Sequence, residues 1–196
     1  ILYFSRCVNL GNVTGGSSNV GGIAGHLVTQ NASSGFVTLD HVYNRGSVSG
    51  TSATAGLVGC AAGYMSNVMQ GYSTGTVTCQ SASTGAALVG QVMATNIGNI
   101  ADLYALEGTH EMLYNTSSGL SGSDVSFQTE EWLKSDAALT ALNTTSTEHF
   151  VKDTKEINDG YPVLQFQNEP TLEEYRTAAI EEIYAYKNAD DYAGLS

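Results

Sequence analysis

Apolar residues in the first hundred positions keep a two-residue rhythm. Leu2, Phe4 and Val8 are spaced for one face of a half-buried strand. Val37, Leu39 and Tyr43 stand at the same places in a second stretch, and Val68 and Tyr72 in a third. Each stretch runs into a phrase of the form small-x-Gly-x-Val: Asn9 to Val13, Asn44 to Val48 and Ser73 to Val77. A second phrase of small and apolar residues follows each time: Gly21-Gly22-Ile23-Ala24-Gly25, Ala55-Gly56-Leu57-Val58-Gly59 and Ala86-Ala87-Leu88-Val89-Gly90. The units recur every 29 to 35 residues, which marks a repeat architecture. They are too short and too rich in glycine for crossover helices. The pattern therefore predicts stacked coils of parallel strands, each buried only by its neighbours. Gly11 is expected to turn the corner through a positive φ, and the polar stretch 29–35 to form a loop.

The second half of the chain has another rhythm. Leu103-Tyr104-Ala105-Leu106-Glu107-Gly108-Thr109 repeats the corner phrase, but no glycine-flanked strand follows it. The array is expected to end there, with 112–128 as loop. Residues 129–142 predict a helix with Thr129 as N-cap and Asn143 as stop. Phe150-Val151 and Tyr161 to Phe166 predict closing strands. With Trp132, Phe150 and Phe166 as large apolar groups, this region is expected to cap the last coil. A second helix is predicted over 171–187. Thr171 and Glu174 have capping-box spacing, and Leu172, Tyr175, Ala179, Ile183 and Tyr186 form its apolar stripe. Asp190-Asp191-Tyr192 looks like the cap of a further helix. The organisation expected is solenoid repeats over 1–110, a cap of mixed α/β character over 111–168, and a helical linker over 169–196. Ile1 falls inside a strand pattern, so the chain is expected to be part of a longer protein with further coils or a cap upstream.

Charge divides along the same boundary. The first hundred residues hold one acid (Asp40) and two bases (Arg6, Arg45), and the remainder holds 18 acids and five bases. A neutral half and an acidic half argue against a nucleic-acid partner, and the acidity favours solubility. No stretch reaches the roughly 18 apolar residues of a membrane span, so no membrane insertion is expected. Cys7, Cys60 and Cys79 lack zinc-site spacing.

The paired phrases resemble the GLUG-motif repeats of large bacterial, Gram-positive-type cell-surface proteins. The resemblance rests on Tyr43-Asn44-Arg45-Gly46-Ser47-Val48, on Gly21 to Gly25, and on the variants at Gly56–Gly59 and Ala87–Gly90. Leu103 to Thr109 looks like the closing phrase of such arrays. Ile157-Asn158-Asp159-Gly160-Tyr161-Pro162-Val163-Leu164 looks like their terminus. Ala86-Ala87 stands where Gly-Gly is usual, and Leu103 where Cys is usual. The resemblance implies an all-β fold, a right-handed parallel β-solenoid (β-helix) of about three coils, in a secreted or cell-wall-attached extracellular protein. It also implies a non-catalytic structural or adhesive module, acting as spacer or attachment surface within a chain whose other domains are its neighbours. The alternative is a carbohydrate-binding module appended to a surface glycosidase or peptidase, with a host or glycan ligand.

Candidate chemistry is sparse. His26, His41, His110 and His149 show no paired ligand spacing, although His26 and Cys60 share one repeat position. The repeats carry a single carboxylate, Asp40, whereas glycoside hydrolysis needs two. Asp153, Glu156 and Asp159 are oxygen ligands of the type calcium takes, without EF-hand spacing. No nucleophile elbow or phosphate loop is present. No catalytic, metal or cofactor residue is assigned. Tyr43 and Tyr72, at one repeat position, are the candidates for ligand stacking. Facing outward they would stack on sugar rings. Alternation from Leu39 turns Tyr43 inward, while Val42 competes for that place. The sequons at Asn12, Asn31, Asn115 and Asn143 carry little weight in a chain this rich in Ser, Thr and Asn.

Overall fold

The computed structural model describes residues 2–29, 36–64, 66–96, 99–116, 124–144 and 147–188. The predicted loop at 29–35 beyond Thr29, the sequon at Asn31 and the helix start at Asp190 lie outside them. The first unit contains β1 (Leu2–Ser5), β2 (Val8–Asn9), β3 (Val13–Thr14), β4 (Ser18–Gly21) and β5 (Ala24–Thr29). The second contains β6 (Val37–Asn44), β7 (Val48–Gly50), β8 (Ser52–Ala55) and β9 (Val58–Tyr64). The third contains β10 (Ser66–Ser73), β11 (Val77–Cys79), β12 (Gly85–Ala86) and β13 (Val89–Asn96). There follow β14 (Ile100–Leu106), β15 (Tyr114–Thr116), β16 (Val125–Gln128), helices α1 (Glu130–Leu133) and α2 (Asp136–Leu142), and strands β17 (Phe150–Val151) and β18 (Val163–Leu164). Helices α3 (Gln165–Asn168) and α4 (Leu172–Asn188) come last.

Corresponding strands of successive units pair in parallel. The long sheet runs β1-β6-β10-β14-β16, with β2 also on β6. Separate sheets join β3, β7 and β11, then β4, β8 and β12, then β5, β9, β13 and β15. Strands β17 and β18 form an antiparallel pair. The register follows the repeat. Leu2 lies opposite Val37, Phe4 opposite Leu39, Val8 opposite Tyr43, Tyr43 opposite Tyr72, and Val13 and Val77 opposite Val48.

The expected all-β, right-handed parallel β-solenoid is not what the chain forms. Its parallel strands lie in several separate sheets, and with four helices among the described residues the fold is of α/β type. The reason lies in the long sheet, which is apolar on both faces, as parallel sheets usually are. On one face Val37, Leu39, Val42, Val68, Ile100 and Leu103 pack with Leu57, Val58, Leu88, Val89 and Val92 of the neighbouring strands. On the other, Tyr43, Tyr72 and Tyr104 need a second cover. They receive it from Leu133 and Leu142 of the helices, Phe150 and Leu164 of the antiparallel pair, and Tyr161 just before β18.

Simple alternation cannot bury Leu39, Val42 and Tyr43 together. His41, between them, has φ +48°. The same left-handed geometry recurs at the aligned positions Arg6, Gln70, Asp102 and Asp124, with φ between +52° and +58°. Within β6, β10 and β14 the residue at this position resets the phase of the strand. Leu39 and Val42 thus share the inner face, while Tyr43 goes to the outer one. None of the five is glycine, although each pays roughly 1–2 kcal/mol for this conformation.

Several expectations need correction. The corner glycines do not supply positive φ, which among the described glycines is confined to Gly108 and Gly160. What they supply is room. A methyl group on Gly46 would overlap the Gly11 carbonyl, and one on Gly75 the Gly46 carbonyl. Beside them Asn9 donates to Asn44 (2.7 Å) and Asn44 to Ser73 (3.3 Å), a buried polar row at the first position of the corner phrase. Parallel pairing does not stop at Thr109, because β15 and β16 extend two sheets within the stretch read as loop. The helix over 129–142 is two helices, broken at Lys134 and Ser135. The Thr129 cap is present, its hydroxyl accepting from the Trp132 amide at 3.2 Å. Residues 165–168 turn helical instead of continuing β18, and Phe166 is 48% exposed instead of covering the stack. Helix α4 has its capping box between Thr171 and Glu174, yet its described apolar residues Leu172, Tyr175 and Ile183 are exposed.

Gly46→Ala should lower stability by roughly 1–3 kcal/mol, whereas Gly16→Ala, with open space around it, should be near neutral in urea denaturation. Strand β1 is exposed throughout and β6 is buried almost throughout. Amides 2–5 should therefore exchange faster with solvent than amides 37–44.

Candidate functional site

The aromatic face of the long sheet gathers a cluster of rings and hydrogen bonds. Paired positions on β6 and β10 bring the Tyr43 and Tyr72 rings into a parallel stack, 5.0 Å between centroids and 1° between planes. Phe150 leans on both, at 6.4 and 5.8 Å, and Tyr161 lies 6.5 Å from Tyr72. On β14, Tyr104 meets the Trp132 ring at 4.9 Å. Lys134 stands 4.6 Å above Tyr161 in a cation–π contact.

Each stacked ring ends in a hydrogen bond to the covering segment. Tyr43 donates to Gln167 Oε1 at 3.0 Å, and that oxygen also accepts the Leu164 amide. Tyr72 donates to the Pro162 carbonyl and accepts from Asn158 Nδ2 at 2.7 Å. Burial raises the Tyr72 hydroxyl well above the ordinary phenol range and also raises Tyr43, while Tyr104 is pushed up to about 12. Both stacked rings are 0% exposed. They are not available for sugar stacking, and the outward reading of Tyr43 and Tyr72 is corrected accordingly.

Most of the other candidates are also engaged internally. Asp153 accepts the amides of Ile157, Asn158 and Gly160 at 3.0, 2.7 and 3.2 Å, which fixes the turn before β18. Asp159 pairs with Arg45 of the corner phrase. These lone pairs hold backbone and guanidinium in place of calcium. His26 does lie opposite Cys60, but His26 is exposed and Cys60 buried, its thiol pushed up by burial. His110 accepts the Met112 amide through Nδ1 at 3.1 Å. The three cysteines are free. Among the described residues, His, Cys, Asp and Glu form no group of three able to hold a metal.

One cluster had no signal in the sequence. His41 of β6 and His149, just before β17, meet ring to ring at 4.2 Å and 71°. Asp40 Oδ1 lies 3.5 Å from His41 Nδ1, too far for a hydrogen bond. Neighbouring Gln70 donates to Thr144 (2.7 Å), which donates to Asp102 (2.8 Å). These residues belong to the row of positive φ and to the segment that covers it. Only the fold brings them together, across separations of 42 residues (Asp102 to Thr144), 74 (Gln70 to Thr144) and 108 (His41 to His149).

Comparison of the chain with protein-family models, curated proteins and solved structures gave no match.

Tyr72→Phe should cost about 1–3 kcal/mol, because it removes a buried bond and strands the Asn158 amide and Pro162 carbonyl. The tyrosines also set an alkaline limit. The unfolded chain gives up its phenolic protons near pH 10 and the folded chain resists. Stability should hold below about pH 10 and fall as the pH rises toward about 12. Tyrosinate absorbance should show these residues titrating together with loss of structure.

Proposed function

We propose that this chain is a non-catalytic structural repeat module of a large bacterial surface protein, secreted or attached to the cell wall, and that it serves as a spacer. The observation that carries the reading is the internal use of the repeat's own aromatic position. Tyr43 and Tyr72, the side chains best suited to a sugar, are stacked on each other and bonded to Gln167 and Pro162. The corner phrases are engaged in the same way, in glycine contacts and the Asn9–Asn44–Ser73 row. The resemblance of these phrases to GLUG-motif repeats supports a cell-surface setting. Parallel units stacked side by side transmit load through many backbone hydrogen bonds, which suits a spacer.

A glycan array together with mechanical pulling between the chain ends tests this. The expected result is no saturable glycan binding and a resisted, cooperative extension. Saturable binding to a defined glycan, retained in Tyr43→Phe and Tyr72→Phe, would overturn the spacer reading and make the chain a carbohydrate-binding module. Turnover of a peptide or polysaccharide would make it an enzyme.

A further inference from the structure

His41 is 3% exposed, and neither of its ring nitrogens finds a hydrogen-bond partner among the described residues. Asp40 Oδ1 is likewise buried without a hydrogen bond, 3.5 Å from His41 Nδ1. A neutral imidazole left without a partner costs less here than an imidazolium would, because burying an unpaired charge is far more expensive than burying a dipole. The groups around it reinforce that preference. His149 faces it from the covering segment and Arg6 from the preceding unit, both raising the cost of a positive charge. Asp40 alone favours the charged form, and burial outweighs it, so the His41 pKa lies below its ordinary value. Phe150 supplies the remaining ring contact, at 6.2 Å.

His149 belongs to the covering segment. Asn143 Oδ1 accepts the amides of His149 and Phe150, Asn143 Nδ2 donates to the Phe150 carbonyl, and the Gln165 amide donates to the His149 carbonyl. A force on the His149 ring is therefore passed directly to β17 and β18.

We propose that the His41–His149 contact is an acid-sensitive latch, holding residues 147–164 on the long sheet at neutral pH and releasing them on acidification. In the closed state His41 stays neutral. In the open state it regains its ordinary affinity for a proton, near pH 6.5. The closed state keeps its full advantage above about pH 6.5 and loses it as the pH falls toward the lowered value. Over that window the open population should rise by up to about tenfold per pH unit.

Hydrogen exchange of the intact chain, corrected for intrinsic rates, at about pH 7.5 and about pH 5 tests this in the range where histidine titrates. The expected result is a loss of protection of about tenfold or more in 147–164, with the inner strands β9 and β13 unchanged. His41→Gln places at this position the residue that Gln70 already is in the next unit, at φ +52°. It should keep the cover closed at neutral pH and flatten the acid response. If that variant does not fold, His149→Gln should flatten it from the other side. Equal protection of 147–164 at both pH values would overturn the proposal. So would an acid loss undiminished in both variants, or one spread equally over β9 and β13.

Discussion

The architecture depends on one repeated backbone reversal. Arg6, His41, Gln70, Asp102 and Asp124 stack at one position, all with positive φ. In β6, β10 and β14 the strand changes phase there, and a sheet that would otherwise have had one apolar face has two. The inner face meets the four-stranded sheet, and the outer face, carrying Tyr43, Tyr72 and Tyr104, requires the helices and β17–β18. The helical cover therefore follows from the kink. Conformations of this kind persist only where surrounding structure over-determines them. Here the strands on both sides of the kinks at His41, Gln70 and Asp102 are held in register by the neighbouring units.

The corner phrase works with that reversal at the end of the same strands. Glycine at its third position lets successive backbones approach more closely than any side chain permits. Asparagine or serine at its first position satisfies polar groups that the approach would otherwise strand, as in the bond from Asn44 Nδ2 to the Gly46 carbonyl at 2.7 Å. The row ends at Ala105, opposite Ser73, which has no side-chain donor to pass on. The units differ in length, yet the register through Val13, Val48 and Val77 is kept.

The unit-to-unit register was readable in the sequence because two independent periodicities agree, the alternation before each corner and the glycine spacing after it. The caps at Thr129 and Thr171 were readable because they depend on local chemistry alone. The kinks were not. Arginine, histidine and glutamine at positive φ leave no mark in a sequence, so Val42 and Tyr43 looked like rivals for one core when each has its own. The all-β expectation failed for the same reason: the second apolar face was invisible. Strands β15 and β16 were missed because they lack the glycine phrases and borrow their pairing from β13 and β14. The break at Ser135 did have a local sign, since Ser135-Asp136 can begin a helix, but the apolar spacing of Trp132, Leu133 and Leu139 ran across it. The histidine pair arises from tertiary structure, and no short-range pattern announces it.

The lone tryptophan of the chain sits at the seam between the two halves. Trp132 rides on α1 and rests on Tyr104 of the long sheet, close to the Tyr43–Tyr72 stack that anchors β17 and β18. The molecule thus carries its own optical probe. Excitation absorbed by the stacked tyrosines has a single indole acceptor nearby, and that acceptor belongs to the cover and not to the repeats. Emission from Trp132 reports whether the two layers are together, without a label and without disturbing either one.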